Sequence, residues 1–312
     1  MSFKQFVMDG FAESFGRPAK LLRLLTEQSD IRVPLVETDK SIASEKVVRW
    51  HEFGVSTDIL LSRRKQGKLL GWRKKGGGYY NSFYLHRPEF EQLVTKIVIE
   101  RWQCEIQEVH GFSASKSELT KFSSMDEMVE CNSREMITDI SPQGLAKNLA
   151  HNEIRIMRPN TDDCFKYHRW DGRLFLINSG GSHHFAAAKY IALRIGAPVP
   201  LAGRLHSYAL NPDAIASLRR DFDIFMISDK PAISVAFNEA MRSFEATWLW
   251  THLPRPYHKA RAILLPKNER RSQRVAQAFQ EAAIVDLGAY LEGLSRTGDE
   301  NGRADLRFIT IT

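Results

Sequence analysis

The chain has 312 residues, 43% of them hydrophobic and 26% charged, with a formal net charge of +7. That length can bury one large or two modest domains, and the composition is that of a globular protein rather than a disordered or fibrous one. No run of 18 apolar residues occurs, and the start Met1-Ser2-Phe3-Lys4-Gln5-Phe6 lacks the basic and apolar regions of a secretory signal, so a cytoplasmic protein with no membrane partner is expected. Three widely spaced cysteines, Cys104, Cys131 and Cys164, make no disulfide framework. The basic balance favours a polyanionic partner or a phosphorylated ligand.

Pro18 to Leu25 fits a short amphipathic helix with proline in its first turn, while Ile31 to Glu52 fits helix and strand equally. Ser62 to Tyr80 carries seven positive charges and no acid, and Gly76-Gly77-Gly78 predicts a turn whose second strand is Tyr79 to Leu85. Arg63, Arg64, Lys65, Lys68, Arg73, Lys74 and Lys75, with tyrosine and tryptophan beside them, are candidates to grip a DNA or RNA backbone; a solvated hairpin edge is the alternative. Pro88 to Arg101 predicts a helix with Phe90, Leu93, Val94, Ile97 and Val98 on one face. Ser113 to Arg134 reads as a linker, with helix starts at Ser115-Lys116-Ser117-Glu118 and Ser123-Ser124-Met125-Asp126-Glu127. A boundary near 135 would separate an N-terminal region of unknown fold, 1–135, from an α/β domain, 136–312.

The second half alternates strands and helices. Met136 to Ile140, Ile154 to Met157, Leu174 to Ile177, Phe222 to Ile227 and Ala262 to Leu265 are predicted strands, with a final edge strand over Arg303 to Thr312. Helices are predicted from Ser141-Pro142 to Ala150, Ala186 to Ile195, Asp213 to Arg220, Val235 to Leu249 and Glu269 to Ala283. Between a strand and a helix stands Gly180-Gly181-Ser182-His183-His184-Phe185. A strand, a glycine turn and a helix start present backbone N–H groups to an anion, with Ser182 as the expected N-cap. Two histidines in the first turn add donors whose protonation is opposed by the helix dipole and favoured by a bound phosphate. Cys164 and His168 could join His183 or His184 on zinc, but one Cys-x3-His pair does not define a site, and no metal ligands are assigned.

Ile177-Asn178-Ser179-Gly180-Gly181-Ser182-His183-His184-Phe185-Ala186-Ala187-Ala188 resembles the signature turn of the ParB/sulfiredoxin superfamily. In that superfamily a strand ends in a glycine-containing turn, His-Arg or Arg-Arg follows, and an alanine-rich helix begins; the turn binds nucleotide phosphates. Ile137-Thr138-Asp139-Ile140-Ser141-Pro142 is similar to the opening strand and proline of those domains, and Pro198-Val199-Pro200-Leu201 falls where they place a strand. The resemblance covers about residues 136 to 210. It implies an α/β (α+β) fold with a ParB/sulfiredoxin-like mixed sheet and a nucleotide ligand, ATP or CTP, with Mg2+ as counter-ion. It implies further that Gly180, Gly181, Ser182, His183 and His184 hold phosphate. Hydrolysis of the nucleotide or transfer of its phosphoryl group would then fall to His183, His184 and Asp171, with Glu153, Asp162 and Asp163 as further candidate carboxylates. Ser182 stands where sulfiredoxins carry their reactive cysteine, so reduction of a sulfinic acid is not expected. His184 replaces the usual arginine, exchanging a permanent bidentate donor for a titratable one. A DNA- or RNA-binding regulator or nuclease, and a non-catalytic interaction protein, are the alternatives.

Overall fold

The computed structural model describes residues 8, 11–36, 39–58, 63–158 and 160–305. The chain divides into two compact units, each assembled from separated stretches: Met1–Val36, Arg49–Val94 and Leu210–Arg296 form the first, and Glu37–Val48, Thr95–Ala209 and Thr297–Thr312 the second. No division falls at 135.

In chain order the first unit begins with helix α1 (Ala19–Glu27), as Pro18 and the leucine spacing predict, and Leu21, Leu24 and Leu25 are its buried face. Among its described residues the open stretch 31–52 forms no long element; single 3-10 turns occupy Ser44–Lys46 and Trp50–Glu52. Strands β1 (Val55–Asp58) and β2 (Arg63–Gln66) pair antiparallel. Then β3 (Lys68–Lys74) and β4 (Tyr80–His86) form the predicted hairpin around the three glycines, two of which, Gly77 and Gly78, have the positive φ such a turn favours.

The predicted helix over 88–101 is replaced by a 3-10 turn, Pro88–Phe90, and a long strand, β5 (Val94–Glu105). Val94, Thr95, Ile97, Val98 and Ile99 are β-branched; they lose rotamer freedom in a helix and pack well on a pleated sheet. After β6 (Val109–Phe112) the expected linker is packed structure: helix α2 (Met125–Asn132) starts at Ser124, whose hydroxyl accepts from Glu127 N–H, and buries Met125, Met128 and Val129. The predicted strand at 136–140 is absent; a 3-10 turn, Arg134–Ile137, stands at its start. Helix α3 (Pro142–Leu149) follows with Ser141 as N-cap, as predicted. Ile154 to Met157 is irregular rather than a strand, because Ile154 and Ile156 reach the core from a loop and need no ladder to be buried.

Strands β7 (Cys164–His168) and β8 (Leu174–Ile177), helix α4 (Ser182–Ile195) and strand β9 (Pro200–Leu210) complete the second unit's main body. Its sheet runs β5-β9-β7-β8-β6, with β7 antiparallel to β8, and with β7/β9 and β6/β8 parallel. Phe112, Phe165, Phe185, Ile191 and the run Ala186–Ala188 form its core. The alanines have no bulk to hold a helix off its neighbours, and α4 packs closely on α2 and α3.

The first unit resumes with α5 (Pro212–Asp221), β10 (Phe222–Ser228), α6 (Pro231–Phe244), β11 (Trp248–His252), β12 (Ala260–Pro266) and α7 (Arg270–Glu281). Helix α6 ends at Glu245, in the left-handed region, short of the predicted Leu249. Trp248, Leu249 and Trp250 instead build β11, paired with both β12 and β3. The unit's sheet is antiparallel throughout, in the order β10-β12-β11-β3-β4, and Phe225, Phe237, Trp248 and Phe279 lie in its core. Helix α8 (Leu287–Asp305) is unforeseen by the sequence reading and covers 303–305, where the edge strand was expected; 306–312 lie outside the described residues. Among the described residues no helix is long and apolar enough to cross a membrane.

Candidate functional site

Strand β8 ends at Ile177, and the turn that follows is tied down from three sides. Asn178 accepts at Oδ1 from the N–H groups of Ser113 (3.3 Å) and Ala114 (3.2 Å), and its Nδ2 donates to the carbonyls of Ala114 (3.0 Å) and Gly180 (2.9 Å). Arg155 donates to Ser179 Oγ at 2.6 Å. Asp163, whose carboxyl is pushed above the usual range by burial, accepts from both the backbone and the hydroxyl of Ser179. Gly181 then turns the chain into α4 at φ +73°. A side chain there would be strained by that φ, and its Cβ would stand 2.6 Å from the Glu153 carbonyl oxygen.

Gly181, not Ser182, is the N-cap, and no side chain caps the helix. Ser182 is the first helical residue; its hydroxyl donates to Ser115 Oγ at 2.8 Å, in the direction of the facing segment rather than back onto its own helix. The turn lines a cavity of about 660 Å³ together with residues 114–117, Asn132, Ser133, Glu135, Met136, His151 and Glu153. The first turn of a helix leaves N–H groups without intrahelical acceptors, and here the N–H of Gly181 meets the Glu153 carboxylate, Oε2 at 3.2 Å. The anion expected at this helix start is therefore one of the protein's own.

His183 lies between two hydroxyls. Its Nδ1 hydrogen-bonds Ser133 Oγ and its Nε2 is 3.1 Å from Ser117 Oγ, which also accepts from Asn132 Nδ2 at 2.7 Å. Ser133 is only 2% exposed, so its proton needs an acceptor inside the protein. With Ser133 donating to Nδ1, the Nε2–H donates to Ser117, and the Ser117 hydroxyl proton is left to point into the cavity. His184 Nδ1 donates to Asn148 Oδ1 at 3.1 Å, since the amide nitrogen of Asn148 is already turned to the carbonyls of Met136 and Gly144. Its ring stacks on His151, centroids 3.6 Å apart. Burial lowers the pKa of both histidines. The Lys116 charge adds to this at His183 against the pull of Glu135; His151 adds to it at His184 against the pull of Glu153. Both imidazoles are neutral at neutral pH.

The structure thus brings Gly180, Gly181, Ser182, His183 and His184 to one cavity with Glu153, and leaves the other candidates elsewhere. Asp171 is not in the site. It lies in the connection between β7 and β8, paired with Arg173 (2.8 Å), and the length of β8, about 13 Å for four residues at a strand's rise, separates it from the glycine turn. Asp163 braces the turn and does not line the cavity, nor does Asp162. His168 is held away from His183 and His184 in β7, stacked on Tyr208, and no group of three or more His, Cys, Asp or Glu side chains among the described residues could hold a metal ion. Ser115, Lys116, Ser117, Asn132, Ser133, Glu135 and His151 join the site without a motif of their own; the one local signal is the alternating Ser115-Lys116-Ser117, which reads equally well as a helix start.

The basic hairpin is elsewhere. Lys68 caps the Tyr84 ring at 4.2 Å, Arg73 covers the Phe83 ring at 4.6 Å, Lys74 pairs with Glu245 at 2.7 Å, and Lys75 is exposed beside the glycine turn. Ser62 and the side chains of Arg63, Arg64 and Lys65 lie outside the described residues; the backbone of the latter three belongs to β2.

Residues 99–301, more than half of the chain, match DUF6685, a family of unknown function. The chain belongs to this family. Every residue lining the cavity falls inside the DUF6685 match, whereas the hairpin from Arg63 to Lys75 falls outside it. No curated protein and no solved structure matches the chain.

Proposed function

We propose that this DUF6685 protein is ParB/sulfiredoxin-like in its second unit and binds a phosphorylated ligand, a nucleotide such as ATP or CTP, at the start of α4. One observation carries the reading: backbone N–H groups, the hydroxyls of Ser117 and Ser182, Lys116 and two neutral histidines converge on one cavity large enough for such a ligand. Strand β8, the glycine turn, α4 and β9 follow the order the resemblance implies, whereas its opening strand at 137–140 is absent. In the bound state the terminal phosphate takes the N–H groups of the helix start and the Ser117 hydroxyl proton. The phosphate also favours a proton on His183: its Nε2–H keeps donating to Ser117, whose hydroxyl donates to the phosphate, and the new Nδ1–H donates to Ser133. Hydrolysis or phosphoryl transfer at this site would use Glu153 to orient the attacking water and His183 to stabilise charge on the transferring group. Mg2+ is normally held by one or two carboxylates plus ligand phosphates, and Glu135, the cavity carboxylate not turned to the helix start, is the residue that would hold it. When bound it would neutralise phosphate charge.

Calorimetric titration with ATP, CTP, GTP and ADP, with and without Mg2+, tests this. At least one nucleotide binds with a stoichiometry near one. Because His183 starts neutral and becomes protonated in the complex, binding takes up a proton at pH 7, seen as a heat that changes between buffers of different ionisation enthalpy. Absence of heat from all four at millimolar concentration overturns the proposal.

A further inference from the structure

The first unit carries a separate cavity of about 730 Å³. Its floor is set by strand register: Leu249 pairs with Gly71 and Gly71 with Phe83, so the three form a row on one sheet face, and Phe222 pairs with Pro266 farther along. Gly71 allows that row to close, because a Cβ there would stand 2.8 Å from Leu249 Cγ and 2.9 Å from the Phe83 ring. Leu249 and Phe222 are buried beneath it, and the half-buried Phe83 and Leu85 supply the open apolar surface of the groove.

The rim is cationic, and its charges differ in what occupies them. Arg87 lies over the Phe222 ring, but its N–H groups are taken by Glu89 and Asp221. Lys267 donates to the Arg219 carbonyl and sits 3.3 Å from Asp223. The Glu269 carboxylate is turned to the N–H groups of Arg271 and Ser272 at the start of α7. Arg73 and Arg220 are exposed, and among the described residues neither has an ion-pair partner. The Arg73 guanidinium lies over the Phe83 ring, 4.6 Å from its centroid, a contact that engages the cation without using its N–H donors, which suit a two-pronged contact with an oxyanion.

We infer that this groove binds an aromatic organic anion: a flat ring system lying against the half-buried Leu85 and Phe83 side chains, its carboxylate, sulfonate or phosphate taken by Arg73 and Arg220. An apolar floor with a few placed charges is the usual make-up of a small-molecule site. The two unpaired guanidinium groups supply the charge complementarity.

The probe is 8-anilinonaphthalene-1-sulfonate, followed by fluorescence on the full chain. One saturable site is expected. Arg73→Gln/Arg220→Gln weakens it at least tenfold and Arg73→Lys/Arg220→Lys less than that, with circular dichroism showing both variants folded. Lys74→Gln/Lys75→Gln on the hairpin leaves it unchanged, and so does Ser182→Ala/His183→Ala, which separates this groove from the nucleotide cavity. The uncharged N-phenyl-1-naphthylamine binds at least tenfold more weakly than the sulfonate. Dye binding that ignores both Arg73/Arg220 variants, or equal binding of the uncharged dye, overturns the inference. So does displacement by a twelve-residue oligothymidylate at a tenfold lower concentration than by thymidine monophosphate, which would assign the groove to a nucleic-acid strand.

Discussion

Glu153→Gln binds the nucleotide at least tenfold more tightly than the native protein, and His183→Ala binds it at least tenfold more weakly. The Glu153 carboxylate holds the Gly181 N–H at 3.2 Å, the position a ligand phosphate takes at a helix start. A carboxylate and a phosphate about 4 Å apart near a protein surface repel by roughly 4 kcal/mol at an effective dielectric of about 20. A tenfold change corresponds to about 1.4 kcal/mol, so even strong screening leaves the effect measurable. Glutamine keeps the shape and an acceptor for Gly181 while removing the charge. His183 acts in the opposite sense: alanine removes the imidazole that orients the Ser117 hydroxyl toward the phosphate and takes up a proton in the complex, and it leaves Ser133, 2% exposed, without an acceptor. Calorimetry at one pH and salt concentration compares the three proteins, with thermal melting showing that each is folded. Weaker binding by Glu153→Gln would show that the carboxylate is a ligand contact rather than a competitor. In the catalytic reading the same variant binds tightly and turns over slowly, because the group that orients water is gone.

The glycine turn and α4 were legible in the sequence because their causes are local. Gly181 supplies the left-handed φ, Gly196 ends the helix the same way, and Ala186 to Ala188 let it pack closely. Helix α3 was legible for the same reason, through Ser141 and Pro142. The far wall of the cavity was not. Ser115 and Ser117 reach Ser182 and His183 across more than sixty residues of chain, and Ser133 across fifty, because β6 and α2 lie beside β8 and α4. No spacing rule on one segment records such a meeting. The helix expected over 88–101 failed because its apolar positions do not share one buried face: β5 is an edge strand on which Ile97 and Val98 are exposed, and there the β-branched run decided for the strand. Asp171 was chosen for its chemistry alone, and the antiparallel β7–β8 pairing puts it at the opposite end of β8.

Glu89→Gln is the largest expected loss of stability from a single surface-rim change. The Glu89 carboxylate accepts two bonds from Arg87, at 3.0 and 2.5 Å, and one from Ser217 at 2.9 Å. Arg87 also reaches Asp221 at 2.8 Å, and the side chains of Arg87 and Glu89 are only 14% and 15% exposed. The Arg87 guanidinium, opposed in part by burial, draws the Glu89 carboxyl down to about 2 from its ordinary 4.5. A carboxyl with a lowered native pKa contributes stability above its unfolded value and loses it as pH falls toward the native one. The contribution is therefore complete above about pH 5, shrinks between about 4.5 and 2, and amounts to about 3 kcal/mol at most. Urea unfolding of native and variant proteins at pH 7, 5, 4 and 3 reads it directly. The gap between them should be widest at pH 7 and 5 and narrow through pH 4 and 3. A gap that stays constant across the series would assign the loss to packing around Phe222 and remove the ion pair from the account, since glutamine preserves the volume of Glu89 but not its charge.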